Sequence, residues 1–431
     1  MKAKKYLFAL VTCYMCYFTH GIQAIILSQN KVDFFTQWGY TDPAAGAAAV
    51  SLAITATGFG KLLTVWIGGE VSDRFGRKKM AVIGGILYIL FFAGLLFTNN
   101  FYVACACSFL AGVATSGFWD AAFYPAAQEA APKYSSSAII GIKLVISIAG
   151  IIYPLLAVAT SQAGSWQINI WIPLIFSIIV TIMAIFTPFI YDDELKAKAK
   201  NAGTEAGAKI KNAAQEAIEA EKAKLKSKPN RLVNFFTMFY GFVCMFIMYG
   251  AQQYTKAFGM NNCGLDAMSA AGLTSIYTAG SIIAVIFWAF MMGKLRWDPL
   301  KVVLIDSIFT AVALIVVLLV QQVVVVYAAI AILGFFAAGG ALQTGIAVRQ
   351  ELCPGPKGRN VGIYYTWMGA ASCFLPYIVS AMTGVVGETQ AVYTMMALLL
   401  VASIIAIFMM VYLVAQSKKI FGESALTRKV D

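Results

Sequence analysis

Gly69-Glu70-Val71-Ser72-Asp73-Arg74-Phe75-Gly76-Arg77-Lys78-Lys79 is a short charged stretch set between two long apolar runs. Gly69 and Gly76 permit a tight turn with close approach of the flanking segments. In the runs on either side, 45–69 and 80–98, Lys61 is the one charged residue. A bilayer core about 30 Å thick needs roughly 20 mainly apolar residues per helix. An apolar run, a basic turn and a second apolar run read as a helical hairpin with its turn on the cytoplasmic side.

The pattern repeats outward in both directions. Apolar runs fall at 6–29, 45–69, 80–98, 101–124, 137–160 and 168–190, then at 232–254, 268–292, 301–320, 323–348, 361–383 and 390–415. Of the 431 residues, 60% are hydrophobic and 12% charged, against about 25% charged in soluble domains. The sequence therefore reads as an all-α polytopic membrane protein. The net charge of +12 does not point to nucleic acid: 28 of the 32 Lys and Arg lie in the two tails and alternate loops. That asymmetry places both termini in the cytoplasm, in a plasma (inner) membrane. Lys31 and Lys256 fall in the opposite loops, while Lys61 and Lys143 fall inside runs. Residues 1–16 resemble a signal peptide, but no small-residue cleavage site follows, so a retained first helix is expected. Eight scattered cysteines and a lone His20 lack metal-ligand spacing. No metal and no cofactor are expected.

Residues 191–231 form the one long polar segment, with seven acids and ten bases. They read as a cytoplasmic linker, of a composition that can form a helix, between bundles at 1–190 and 232–415, with a tail at 416–431. An internal repeat supports that division. Gly112, Gly117, Gln128, Glu129, Pro132 and Pro154 recur 222 residues later as Gly334, Gly339, Gln350, Glu351, Pro354 and Pro376. Gly21 and Gln23 match Gly250 and Gln252 at an offset of 229. Parallel six-span repeats are a transporter architecture, with the site between them near mid-membrane.

The 69–79 stretch resembles the signature between the second and third helices of the major facilitator superfamily, Gly-x-x-x-Asp-Arg-x-Gly followed by basic residues. Every position matches, and the resemblance covers residues 1–415. It implies two pseudo-symmetric six-helix bundles that transport by alternating access. It also implies a cytoplasmic gate that latches the outward-open state. In that gate Asp73 sits at a helix N-terminus of the opposite half, and Arg74 and Arg77 with their neighbours pair with Glu129. The second-half counterpart, Gly293 to Asp298, is degenerate, though Arg296 is placed to pair with Glu351.

Ionisable residues inside a membrane mark pathways or coupling sites. Lys61 and Asp120 each lie roughly 12–13 Å inside the cytoplasmic end of their helices, counted at about 1.5 Å per residue. At equal depth an ion pair would offset part of their desolvation. His20 and Gln23 share one helix face, Gln252 mirrors Gln23, and Gln343 lies in the tenth run. In the superfamily the first, fourth, seventh and tenth helices line the cavity, so these are candidate ligand contacts. Trp119, Tyr277, Tyr365 and Trp367 are candidates for stacking on a ligand. Lys143 is expected to snorkel to the interface, and Asp306 to form a structural salt bridge.

Asp120-Ala121-Ala122-Phe123-Tyr124-Pro125 resembles the Glu-x-x-x-Asn-Pro stretch of fucose permease-like proton–sugar symporters. Those proteins carry a second acid in the first helix, where this chain has His20 and Gln23. Proton-coupled uptake of a sugar or related metabolite ranks first. An organic anion comes second, because Lys61 and His20 offer positive charge, and drug–proton efflux third. The expected partners are a small-molecule substrate, a proton and membrane lipid, and the protein is expected to be a monomer. The rival classes are a transporter-like sensor and a membrane enzyme. A sensor needs a foldable soluble domain that neither 191–231 nor 416–431 is large enough to form. An enzyme needs a nucleophile or metal constellation, and a P-loop pattern is absent too.

Overall fold

The computed structural model describes residues 2–130, 135–193 and 225–430 apart from Gln321 and Pro356, together with 195, 219, 222 and 223. Most of the expected linker, and Lys133, lie outside the described residues. Twelve helices are long and apolar enough to cross a membrane. In order they are Tyr6–Gln29, Pro43–Phe75, Arg77–Phe97, Phe101–Ala130, Gly141–Gln162 and Ile168–Asp193. The second six are Arg231–Cys263, Ala267–Gly293, Pro299–Leu319, Val323–Leu352, Asn360–Val386 and Glu388–Phe421. They are called spans 1–12 below. The face carrying the two chain termini is the terminal face, and the other is the far face.

Short polar residues start the helices, because their side chains satisfy the orphan amides of a first turn. Asp42 accepts from the Ala45 amide at 3.0 Å, Asn100 from Tyr102 at 2.8 Å, and Asn230 from Val233 at 2.8 Å. Asp266 and Asp298 do the same for spans 8 and 9. Large apolar side chains also remain on the outer surface, with Phe97, Phe186, Leu319 and Phe408 at least 70% exposed. Such a surface suits lipid and not water.

Two cores form. One draws its buried side chains from Ala9 to Phe189 plus Tyr249 of span 7; the other runs from Val233 to Ala425. The chain is thus two six-helix bundles, and their inner packing repeats atom for atom. A Cβ on Gly60 would meet the Phe109 carbonyl oxygen at 2.3 Å, and one on Gly280 the Ala331 oxygen at 2.4 Å. A Cβ on Gly112 would meet the Thr57 oxygen at 2.0 Å, and one on Gly334 the Tyr277 oxygen at 1.9 Å. Spans 2 and 4, like spans 8 and 10, therefore touch backbone to backbone through glycine. At these contacts both span 4 and span 10 widen into a π-helical turn, Val113–Trp119 and Gly334–Ala338. π-Turns of this kind sit at functional sites more often than chance allows.

The bundles meet along spans 2 and 11 and along spans 5 and 8. Polar contacts between them gather toward the far face. Lys31, on a short helix after span 1, pairs with Glu388. The Lys256 ammonium donates to the Gln29 carbonyl at 2.6 Å, Gln253 to Ala24 at 2.6 Å, and Ser380 to Ala48 at 2.8 Å. Lys256 belongs to span 7 and not to a loop.

Candidate functional site

A cavity at the seam of the bundles holds about 920 Å³ of empty space, open solvent at its mouth included. Spans 1, 2, 4 and 5 present His20, Lys61, Tyr124 and Lys143 to it; spans 7, 8, 10 and 11 present Gln252, Tyr277, Gln343 and Tyr365. Amides, phenols and cations thus surround a space walled elsewhere by Ala24, Met245, Met248 and Met368. Such a lining binds a small polar molecule by oriented hydrogen bonds while apolar walls displace water.

Several side chains are held in place by their own partners. His20 Nδ1 shares a 2.8 Å hydrogen bond with the Tyr88 hydroxyl. That hydroxyl shares another with Thr115 at 2.7 Å and reaches Gln23 Oε1 at 3.4 Å. Gln23 is therefore buried beneath His20 and braces it through Tyr88. The Tyr277 hydroxyl donates to the Met248 carbonyl at 2.9 Å.

Asp120 stands at the end of the π-turn of span 4. Its Oδ1 accepts from the Tyr17 hydroxyl at 2.7 Å and its Oδ2 from Ser116 at 3.4 Å. Among the described residues it has no direct ion pair with Lys61, although each lies in the other's field. Tyr17 takes the position expected of the lysine. Sequence depth placed the two charges at one level but not at one azimuth.

Four further expectations change. Trp119 points away from the cavity and stacks on Tyr88 at 4.1 Å, its indole donating to the Ala81 carbonyl at 3.1 Å. Trp367 packs edge-on against Phe235, Phe239 and Phe242 of span 7. Lys143 does not snorkel; it joins Lys61 at the cavity. Asp306 forms no salt bridge among the described residues. It is 1% exposed, and its nearest polar neighbour is the Trp288 indole.

On the terminal face the 69–79 stretch is mostly helix. Span 2 continues through Gly69 to Phe75, and only Gly76, at φ +93°, makes the turn. Asp73 pairs with Arg77 at 2.7 Å, four residues on and in its own bundle. Arg77 is 6% exposed; it reaches Glu129 at 3.5 Å and lies over the Tyr191 ring. Asp192, missed by the sequence reading, accepts from the Arg77 amide at 2.9 Å and so caps span 3. Arg74 is exposed. In the second bundle, the Arg296 backbone adopts φ +56° and Glu351 pairs with Arg428 of the tail. Neither Tyr17, Tyr88 nor Arg428 carried a sequence signal, because each acts through a contact more than 60 residues away.

Two bundles of six membrane-length helices with a polar cavity at their seam are the architecture of an integral membrane transporter. The sequence profile of the Major Facilitator Superfamily matches residues 7–376, and the chain belongs to that family. It is 30% identical over 365 residues to the inner membrane transport protein YdiM of Escherichia coli, covering 85% of this chain and 84% of that one. It is 26% identical to the inner membrane transport protein YdiN of the same organism, covering 97% and 94%. In fold it is similar to a crystal structure of the D-xylose–proton symporter, with a TM-score of 0.68 at 13% identity over 94% of this chain and 96% of the other.

Proposed function

We propose that this transporter carries a small organic anion, a carboxylate bearing hydroxyl groups, across the bacterial inner membrane by alternating access. The observation that carries the reading is the pair of lysines, Lys61 and Lys143, at one cavity. Two ammonium groups at mid-membrane depth are costly unless an anion meets them. A carboxylate placed between them forms charge-assisted hydrogen bonds, about twice as strong as neutral ones. Gln252, Gln343, His20 and the phenols of Tyr124 and Tyr365 then serve the hydroxyls. The sequence ranked a sugar first on the likeness of Asp120 to Pro125 to the proton–sugar symporters, with Lys143 expected at the interface. Moving that lysine into the cavity reverses the order.

Asp120 serves as the coupling group, exchanging a proton while Tyr17 and Ser116 orient its carboxyl. Lys61 is close enough to stabilise the charged form electrostatically, so an anion arriving on Lys61 alters the proton affinity of Asp120. The two bundles rock about the cavity, with the Lys31–Glu388 contact closing the far face. The terminal face is cytoplasmic by its basic loops, and its gate consists of the 69–79 stretch with Glu129. The protein works as a monomer in lipid and uses no cofactor.

The test is uptake into proteoliposomes of labelled hydroxycarboxylates, sugars, polyols and cationic drugs, with and without an imposed proton gradient. Accumulation of a carboxylate, driven by an inward proton gradient, is the expected result. Sugar uptake that ignores Lys143→Gln would overturn the anion reading and restore the sugar one.

A further inference from the structure

Residues 422–430, which follow span 12, do not hang free. Span 12 runs to Phe421, Gly422 turns at φ +85°, and the tail folds back beneath the second bundle. Ala425 is fully buried, its amide donating to Ser417 Oγ at 2.9 Å. Lys429 bridges to Trp297, and the Val430 amide donates to the Arg296 carbonyl at 3.0 Å. Between these anchors Arg428 enters the protein. Its Nε lies 2.6 Å from Asp298 Oδ2, its Nη2 meets Glu351, and its guanidinium covers the Phe421 ring at 3.7 Å.

The first bundle makes the same arrangement from its own loop. Arg77, just past the turn at Gly76, joins Asp73 in the last turn of span 2 to Glu129 at the end of span 4. Glu351 is the repeat mate of Glu129 at the offset of 222, and Asp298 stands in the loop between spans 8 and 9. The position matching Arg77 is Trp297 at the offset of Gly60 and Gly280, or Pro299 at the offset of the glutamates. Neither residue carries a positive charge, and the loop's own Arg296 stands beside them with its backbone at φ +56°. Burial pushes the Asp298 carboxyl up, and the Arg428 guanidinium 2.6 Å away offsets part of that rise.

We infer that Arg428 is a gate arginine of the second bundle, a positioning residue supplied by the tail where Arg77 stands in the loop of the first. One planar fork then ties loop to span end in each bundle, a geometry that Arg and not Lys satisfies. The first tie is built into its loop. The second exists only while the tail is docked, which makes docking a condition of normal gating. The inference rests on the gate reading of the 69–79 stretch.

The experiment compares Arg77→Gln, Arg428→Gln and Arg428→Lys in the full chain in nanodiscs. Spin labels on ketone-bearing amino acids at Phe75 and Gly293 report the separation of the two bundles on the terminal face. Phe75 is 55% exposed and a Cβ on Gly293 meets nothing, so both sites tolerate a label. Arg77→Gln and Arg428→Gln are both expected to shift the population toward the longer distance, roughly threefold or more each. Arg428→Lys, which keeps the charge but loses the fork, falls between. Melting temperature and circular dichroism establish that each variant is folded. A shift with Arg77→Gln but none with Arg428→Gln overturns the tail inference alone. No shift with either overturns the gate reading beneath it. If Arg428→Gln does not fold, Asp298→Asn with Glu351→Gln removes the acids instead and must give the same longer distance.

Discussion

On the proposed reading Lys143 sets what the cavity holds, and that role can be isolated at a single side chain. If it and Lys61 bracket a carboxylate, Lys143→Gln removes one charge-assisted hydrogen bond. Such bonds contribute about 1.5–3 kcal/mol, so the apparent affinity for an anionic substrate should fall roughly tenfold or more, measured as the KM of uptake. A neutral substrate should show no comparable change. Asp120→Asn tests a different step. It keeps the Tyr17 and Ser116 contacts in shape but cannot exchange a proton. Exchange of labelled for unlabelled substrate should persist while uphill accumulation is lost; retained accumulation would remove Asp120 from coupling. At this scale the sequence was half legible. Rarity of charge in apolar runs singled out Lys61, Asp120 and His20, because cost alone marks them. Azimuth was not legible. Trp119 and Trp367 share helices with cavity residues yet pack on Tyr88 and on three phenylalanines, since which side of a helix faces the cavity depends on its neighbours.

At the scale of elements the repeated glycines explain themselves. Gly112 and Gly334, picked out in the sequence by their common offset, let spans 4 and 10 lie backbone to backbone on spans 2 and 8. Each contact is followed by a π-turn, which then delivers Asp120 in one bundle and Gly340, at φ +156°, in the other. Adding a methyl at either site drives a Cβ into a carbonyl oxygen at about 2 Å. Overpacking of this kind typically costs about 1–3 kcal/mol. Gly112→Ala and Gly334→Ala should each lower the melting temperature in detergent. Gly362→Ala, where a Cβ meets nothing, should leave it unchanged. Equal melting temperatures for all three would mean that the helix pairs are looser than these contacts imply. The spans and their order were legible because hydrocarbon thickness fixes their length. The π-turns were not: a π-turn adds one residue to a helix without altering its composition, and Val113 to Trp119 reads as ordinary apolar helix.

Over the whole molecule, the question is what holds the far face shut. The two bundles are joined there by an ion pair, Lys31 to Glu388, and by hydrogen bonds from Lys256, Gln253 and Ser380 to carbonyls of the other bundle. Their arrangement is reciprocal: Lys31 of the first bundle reaches the second, and Lys256 of the second reaches the first. Opening the far face must break all of them together, so they add to the free energy of the closed state and vanish in the open one. The side chains of Lys31 and Glu388 are 21% and 20% exposed, which screens the pair less than at an open surface. A coupling of about 1 kcal/mol is expected for such a contact, or roughly a fivefold change in the ratio of closed to open states. Lys31→Gln and Glu388→Gln should therefore each favour the state open on the far face. The double variant should shift no further than either single change, because both remove the same contact. The readout is the rate at which a membrane-impermeant thiol reagent, added from that side, labels a cysteine placed at Gln252 in the cavity. Labelling that is additive in the double variant would mean that the two residues act separately, and the closure would then rest on the carbonyl-bound lysine, Lys256.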